Sequence, residues 1–568
     1  MGMLTLKHEN FLAKILGFGS TFVAVLVITG TVTDPVNLTK LFALGGVAGA
    51  AFAISSMKIR QVVTKFKLAS IAIGVFLIAS LNSIFQSESP LTQNLYGAYG
   101  RNTGFLAYLL FILMFFSALT LSKRGNFDTL IWGMIAAGVV NNIYCLWVLM
   151  FGDFFGWNNP YGNILGTFGN PNFIGAFLGM YAACLVAYSL APGVNLKYRL
   201  LAFLLFGVTS FEIVKSNAIQ GRVLLVGGLA IVGFYLLRAK FKSAYPLILY
   251  SFFIVFSGTI SLLGALQIGP LAKYIYKYSV SLRGEYWQAG WNMAVSHPLT
   301  GVGFDSYGDW YRRSRDINAL VVPGVNTVTN AAHNVAIDVL AYGGWPLFTA
   351  YLTLILLTTI AIIRFTIRNR DYDKTFVALT VGWVCYQIQS LISINQIGLA
   401  IWGWMLGGAL IAYERANRNT VTSTENSGKV RGRSHQSQAA NYLSPQLVAG
   451  IGAVIGLIIA CPPYSADSKF YSALRSQDVA KIEESLIPTY LTPSNSYKYA
   501  YAADIMESSQ LHDLAFKYAK KATEFNPNHF DSWRIYLLAK NTPEAERAKA
   551  RENLHRLDPY NPEFKESK

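Results

Sequence analysis

Charge and cysteine are both scarce in this 568-residue chain: 14% of residues are charged and there are 4 cysteines. A soluble domain carries about a quarter charged residues, and a disordered one still less hydrophobicity. With 53% hydrophobic residues, both classes are excluded and a polytopic membrane protein is specified. Cys145, Cys184, Cys385 and Cys461 all fall in or beside apolar runs, which excludes a disulfide framework and a thiolate metal site. The Ile459-Ala460-Cys461 triplet ends like a lipoprotein cleavage site but lies too deep in the chain to be one. Acidic residues are short as well, 30 against 47 basic, for a net charge of +17. The tail after residue 463 holds 15 of each sign, so the whole excess belongs to the membrane part and there is no nucleic-acid surface.

What is present is a succession of apolar runs long enough to cross about 30 Å of hydrocarbon. They fall at roughly 11–30, 38–57, 68–86, 104–121, 128–151, 173–191, 199–214, 222–237, 244–266, 335–363, 375–394, 397–413 and 444–463. An all-α, polytopic helical bundle of about 12–13 transmembrane helices is expected, the short pair around residue 395 being either two spans or one re-entrant hairpin. The breaks alternate in charge. One set holds Lys7, Lys14, the Lys58–Lys67 group, Lys123, Arg124, Lys197, Arg199, the Arg238–Lys242 group, the Arg364–Lys374 group and the basic residues from Arg415 to Arg433. That set faces the cytoplasm, because basic loops resist translocation. The N-terminus is then cytoplasmic and the C-terminal domain extracytoplasmic, in a bacterial cytoplasmic membrane.

Residues 1–413 form the membrane domain, with a long outer loop at 267–333 where function is expected to concentrate. Residues 414–443 read as a cytoplasmic disordered linker and 444–463 as the last transmembrane helix. In the tail, 464–568, Ala515, Tyr518, Ala522, Phe525 and Pro527 carry the spacing of a tetratricopeptide helix pair, echoed by Leu554, Leu557 and Pro559. An unrelated helical hairpin bundle fits the same pattern. Such repeats offer a surface for a protein partner.

Histidine is rare, and elimination handles it. Of 7, only His297 and His333 fall on the outer side of the membrane domain. His297, in Ser296-His297-Pro298, reads as a loop-packing residue. His333, in Asn330-Ala331-Ala332-His333-Asn334 directly before a helix, is either a satisfied interfacial histidine or a general base. Arg222, Arg283 and Arg101 reach the same outer plane, where a guanidinium either anchors at the interface or grips a diphosphate. Lys215 lies just before Arg222. Three patterns are set aside: Asp371-Tyr372-Asp373 is a neutralised cytoplasmic loop, Gly301-Val302-Gly303 only loosely resembles a phosphate loop, and no helix carries metalloprotease His/Glu pairs.

At these residues residues 97–355 resemble the O-antigen ligase and polymerase superfamily, bacterial membrane glycosyltransferases that take glycans from undecaprenyl diphosphate. The carrying segments are Tyr99-Gly100-Arg101-Asn102-Thr103-Gly104, Gly166-Thr167-Phe168-Gly169-Asn170-Pro171-Asn172, Arg283 with Trp287, Trp291, Pro298 and Gly301-Val302-Gly303, and His333-Asn334 followed by Gly343-Gly344. The resemblance implies that His333 is the catalytic base and Arg283 a donor-phosphate arginine; together with the residues it leads to the expectation of a diphosphate gripped by Arg283 and Arg222, with help from Lys215 or Arg101. Arg222 stands in Gln220-Gly221-Arg222 where the family often has Ser-Arg-Gly. The implied reaction is an inverting transfer of a glycan to an acceptor hydroxyl, without metal or other cofactor. The acceptor is left open among lipid, glycan and protein, so a polysaccharide polymerase and a protein O-oligosaccharyltransferase stand beside the ligase. A solute transporter is the alternative of another class.

Overall fold

A computed structural model describes residues 6–265, 268–270, 272–275, 282–418 and 444–564. Among them the chain is helical and contains no β-strand. Nine of the described helices are long and apolar enough to cross a membrane, the one secondary structure that satisfies its own backbone in hydrocarbon. Phe105–Ala118 and Tyr245–Ser261 are apolar but shorter. The pair around residue 395 is two helices, Lys374–Ile392 and Ile397–Ala416, each long and apolar enough to cross a membrane. Helix starts are written in the sequence as polar caps: Asn170, Asn334, Asp373, Gln396 and Ser444 each accept a backbone N–H of the first turn.

Three boundaries differ from the sequence-based expectation. The first helix ends at Val25, not near residue 30, and carries a π turn at Ile15–Gly19. Its end is fixed by a buried lysine: Lys40 Nζ donates to the carbonyls of Val23 and Leu26, at 3.2 and 3.3 Å, and to that of Ala24 between them. The last apolar helix does not stop at residue 463 but runs Pro445–Ser476, through Pro462 and Pro463. It packs along Asn37–Ser55 at a double glycine seam, Gly45 and Gly49 facing Gly452 and Gly456, where a Cβ on any of the four would strike the opposite helix. Close backbone approach of this small-xxx-small kind drives helix association where no hydrophobic effect operates. The predicted linker 414–443 begins inside a helix that ends at Ala416, and its residues from 419 onward lie outside the described residues.

The loops gather at two opposite ends. At one, Glu9 meets Lys58 and Ser122, Arg124 meets Asp373, and Arg368 and Arg418 meet Glu414. At the other sit residues 87–104, 282–334 and the tail. The tail continues from the Pro445–Ser476 helix into Val479–Ser485 and then two helix hairpins, Ser496–Ser508 with His512–Phe525 and Phe530–Leu538 with Glu544–Leu557. Ala515, Tyr518, Ala522, Leu554 and Leu557 form part of its own apolar core. It is bolted to the helix Tyr307–Ser314 and the residue after it. Asp558, fully buried, takes Arg315 Nη2 at 2.8 Å and Arg312 Nη1 at 3.1 Å. Asn526 donates to Asp309 at 2.9 Å, and Asp467 takes the Thr33 N–H and the Tyr99 hydroxyl.

Candidate active site

The site is built on a broken helix. Val335–Arg368 loses helical geometry at Gly343 and Gly344, the latter with φ +63. The freed carbonyls of Ala341 and Tyr342 accept the N–H groups of Val302 and Gly303, at 2.8 and 3.1 Å, and Trp345 N–H donates to Pro298 O at 2.9 Å. Gly301, at φ +63, has no room for a side chain because it lies against the Tyr342–Gly343 backbone. The two glycine motifs are therefore one structural joint, which explains Gly301-Val302-Gly303 without any phosphate.

Asp305 projects from this joint. Its carboxylate accepts the Ala98 and Thr103 N–H groups at 2.9 and 3.3 Å and faces Arg101 Nε at 3.2 Å. The Tyr99–Thr103 segment is thereby wrapped around a buried acid. Arg101 also donates to Asn330 O at 2.5 Å, in the loop that carries His333. Its Nη2 is buried and has no hydrogen-bond partner among the described residues. Asp338, one turn into the broken helix, accepts the Ala332 N–H at 2.7 Å and so fixes the residue before His333. Three non-glycine residues of this assembly hold left-handed backbone: Asn102 at φ 56, Asp305 at 53 and His333 at 54. Such conformations cost about 1–3 kcal/mol each and concentrate at functional sites.

The His333 ring lies over Tyr286, with centroids 5.9 Å apart and planes 30° from parallel. Among the described residues neither of its nitrogens has a hydrogen-bond partner. Burial, then the charges of Arg283 and Arg101, push its pKa from 6.5 down to about 4, so the imidazole is neutral at pH 7. Arg283 opens the helix Arg283–Ser296 and has no acidic partner among the described residues. Burial pulls its pKa down and only Tyr286 opposes the shift. For Arg101, burial acts the same way but the Asp305 carboxylate outweighs it and holds the guanidinium above its ordinary range.

Of the five residues that the sequence singled out, the structure brings together His333, Arg283 and Arg101. Arg222 is exposed near the start of Ile219–Lys240, and Lys215 ends Leu196–Lys215 with Nζ 5.5 Å from the Phe211 ring. Neither registers among the charges that act on His333. His297 packs edge-on to Trp310, at 4.7 Å, and pairs with Ser296, the loop role expected of it. Asp305, Asp338 and Tyr286 carry the site and were not singled out from sequence as its members. The one signal for Asp305 is an acid two positions after the Gly-x-Gly turn, on the face that also holds the arginines. Among the described residues no three His, Cys, Asp or Glu side chains come together as metal ligands would.

Arg101 also forms part of the wall of an open cleft of about 900 Å³ between the membrane helices and the tail. No family model matches this sequence, and no curated protein matches it.

Proposed function

We propose that the chain is an integral-membrane glycosyltransferase of the O-antigen ligase type. It transfers a glycan from a polyprenyl diphosphate to an acceptor hydroxyl at the outer face of a bacterial cytoplasmic membrane. The observation that carries this reading is a neutral, unpartnered imidazole set on strained backbone between two guanidiniums, one of them without an acid. A neutral imidazole is a base, and a guanidinium with N–H groups to spare is an anion ligand. The positive-inside distribution of lysine and arginine puts this end of the bundle outside, and the tail's two helix hairpins serve there as a tetratricopeptide-like domain.

In this reading His333 takes the proton of the acceptor hydroxyl as its oxygen attacks the anomeric carbon from the side opposite the diphosphate. The glycosyl C–O bond to the diphosphate breaks, the configuration inverts, and the departing charge falls to Arg283 and Arg101. Fixed positive charge in a partly dry site stabilises that charge without a divalent metal or another cofactor. Arg222 and Lys215 act as outlying cations toward which the diphosphate approaches. With a diphosphate bound, the charge that depresses the His333 pKa is offset, so the imidazole becomes a stronger base when donor is present.

The test is transfer from the cells' own lipid-linked glycan in inverted-free, right-side-out membrane vesicles. His333→Ala is expected to lower the rate about 10²–10⁴-fold, the usual contribution of a general base, at unchanged protein level. Normal transfer by that variant would refute the reading.

A further inference from the structure

The cleft of about 900 Å³ is at the upper end of ligand-pocket sizes, roughly 300–1,000 Å³, far more than a diphosphate needs. One wall is the membrane domain: Arg101, Trp157, Asn158, Asn170 and Gln396. The other is the tail: Tyr471, Arg475, Tyr497 and Tyr501. The walls are joined by a run of near-parallel rings. Tyr99 stacks on Tyr497 with centroids 4.2 Å apart and 16° between planes, and Tyr497 is followed by Tyr501 at 6.0 Å and 8°. Tyr497 and Tyr501 are 40% and 41% exposed, so their apolar surfaces are left partly uncovered.

The polar groups of the cleft have donors to spare. Gln396 is 3% exposed and commits its Oε1 to the Leu399 N–H. That bond fixes which way the amide faces, and its Nε2 is left buried without a partner among the described residues. Arg101 Nη2 is in the same condition. A buried donor without a partner costs about 1–3 kcal/mol, a cost that a bound acceptor removes. Flat aromatic faces beside amide donors match a pyranose ring, which has an apolar C–H face and a rim of hydroxyl oxygens. A peptide in extended form would ask for a row of backbone donors and acceptors, and the cleft wall provides no strand edge.

We propose that this cleft binds the carbohydrate chain of a substrate, and that the tail domain, through Tyr497 and Tyr501, supplies one wall of that glycan site. The inference deepens the glycosyltransferase reading and rests on it for the site's purpose, but glycan binding can be measured without turnover. Arg101 belongs both to the cleft and to the His333 group, which places a sugar in the cleft next to the reacting centre.

The experiment uses the full chain in detergent and two probes. One is the free glycan released by mild acid from the cells' polyprenyl-diphosphate fraction. The other is the delipidated surface polysaccharide of the same cells. Saturation-transfer NMR and thermophoresis read binding to the wild type, to the double variant Tyr497→Ala with Tyr501→Ala, and to Tyr501→Trp. The expected result is that one probe binds, that the double variant binds it at least tenfold more weakly, and that Tyr501→Trp, which keeps a flat face, binds it normally. Binding of the first probe assigns the cleft to the donor glycan and of the second to the acceptor. Protease resistance of the tail, equal to wild type, checks that the double variant folds. No binding of either probe by the wild type, or equal binding by the folded double variant, overturns the proposal. His333→Ala separates the two failures: it is expected to bind glycan normally while transfer is lost. If its transfer persisted, the catalytic reading would fall and the binding result would stand.

Discussion

Asp558→Asn probes the tail's attachment and has a magnitude that follows from geometry. Asp558 and Arg315 are both fully buried, and the carboxylate takes Arg315 Nη2 through both oxygens, at 2.8 and 2.9 Å, and Arg312 Nη1 at 3.1 Å. The amide removes the one carboxylate that, among the described residues, contacts these two guanidiniums, leaving Arg315 bonded to the Val325 carbonyl at 3.0 Å. Breaking one side of a buried pair costs about 3–5 kcal/mol because the other charge stays desolvated. That corresponds to a shift of roughly a hundredfold to several thousandfold in the docking equilibrium. Undocking rehydrates Arg315, so the variant should relieve the cost by releasing the tail rather than by unfolding the membrane helices. Hydrogen exchange reads the difference: amides of Phe530–Leu538 and Glu544–Leu557 that are slow in the wild type should exchange faster, while those of Ile397–Ala416 stay protected. The double change Asp558→Leu with Arg315→Met should recover much of the protection, since apolar replacements of a buried pair are often neutral or better. Wild-type exchange of the tail in Asp558→Asn would show that the ion pair does not hold it, and the reasoning would fail.

Three further outcomes follow from the same structure. Gly456→Leu places a side chain against the Gly45 carbonyl and should cost about 3 kcal/mol, the upper end for overpacking, read as a lowered melting temperature in detergent. Asp305→Ala removes the acceptor of the Ala98 and Thr103 N–H groups and the partner of Arg101. Transfer should fall at least tenfold and stability by about 3 kcal/mol or more, whereas unchanged thermal unfolding would contradict the role given to that acid. Burial first, and then the charges of Arg283 and Arg101, lower the His333 pKa to about 4, and Arg283→Gln removes one of the two charges. The protonated imidazole becomes easier to form, so the acid limb of kcat/KM should move up from about pH 4, part of the way only because burial and Arg101 remain, and an unmoved limb would mean that Arg283 does not act on His333.

The bundle was legible because each of its elements is local. Apolar runs and capping residues such as Asn334 and Asp373 are written in consecutive positions, and hydrocarbon leaves an apolar run little choice but a helix. The places where the reading slipped are those where a distant residue decides. Lys40 ends the first helix from a different helix, and beyond its prolines the Pro445–Ser476 helix carries Asp467, which accepts from Thr33 and Tyr99.

The site divides in the same way. His333 stands out because only two histidines fall on the side that the charge pattern leads one to expect outside, and Arg101 and Arg283 because they fall on that same side. Nothing in spacing relates Arg101 to Asp305, whose pairing exists only after the helix break seats Gly301–Gly303 against Tyr342. That dependence has a consequence for the chemistry. His333, Asp305 and Asn102 hold left-handed backbone, and the segments that carry them are tied to one another or to the broken helix: the Ala332 N–H to Asp338, the Ala98 and Thr103 N–H groups to Asp305, and Arg101 to the Asn330 carbonyl. Strain persists only where the surroundings over-determine it. These bonds set the backbone that carries His333, and its ring lies over Tyr286, so the imidazole, without a hydrogen-bond partner among the described residues, is left available for a substrate proton.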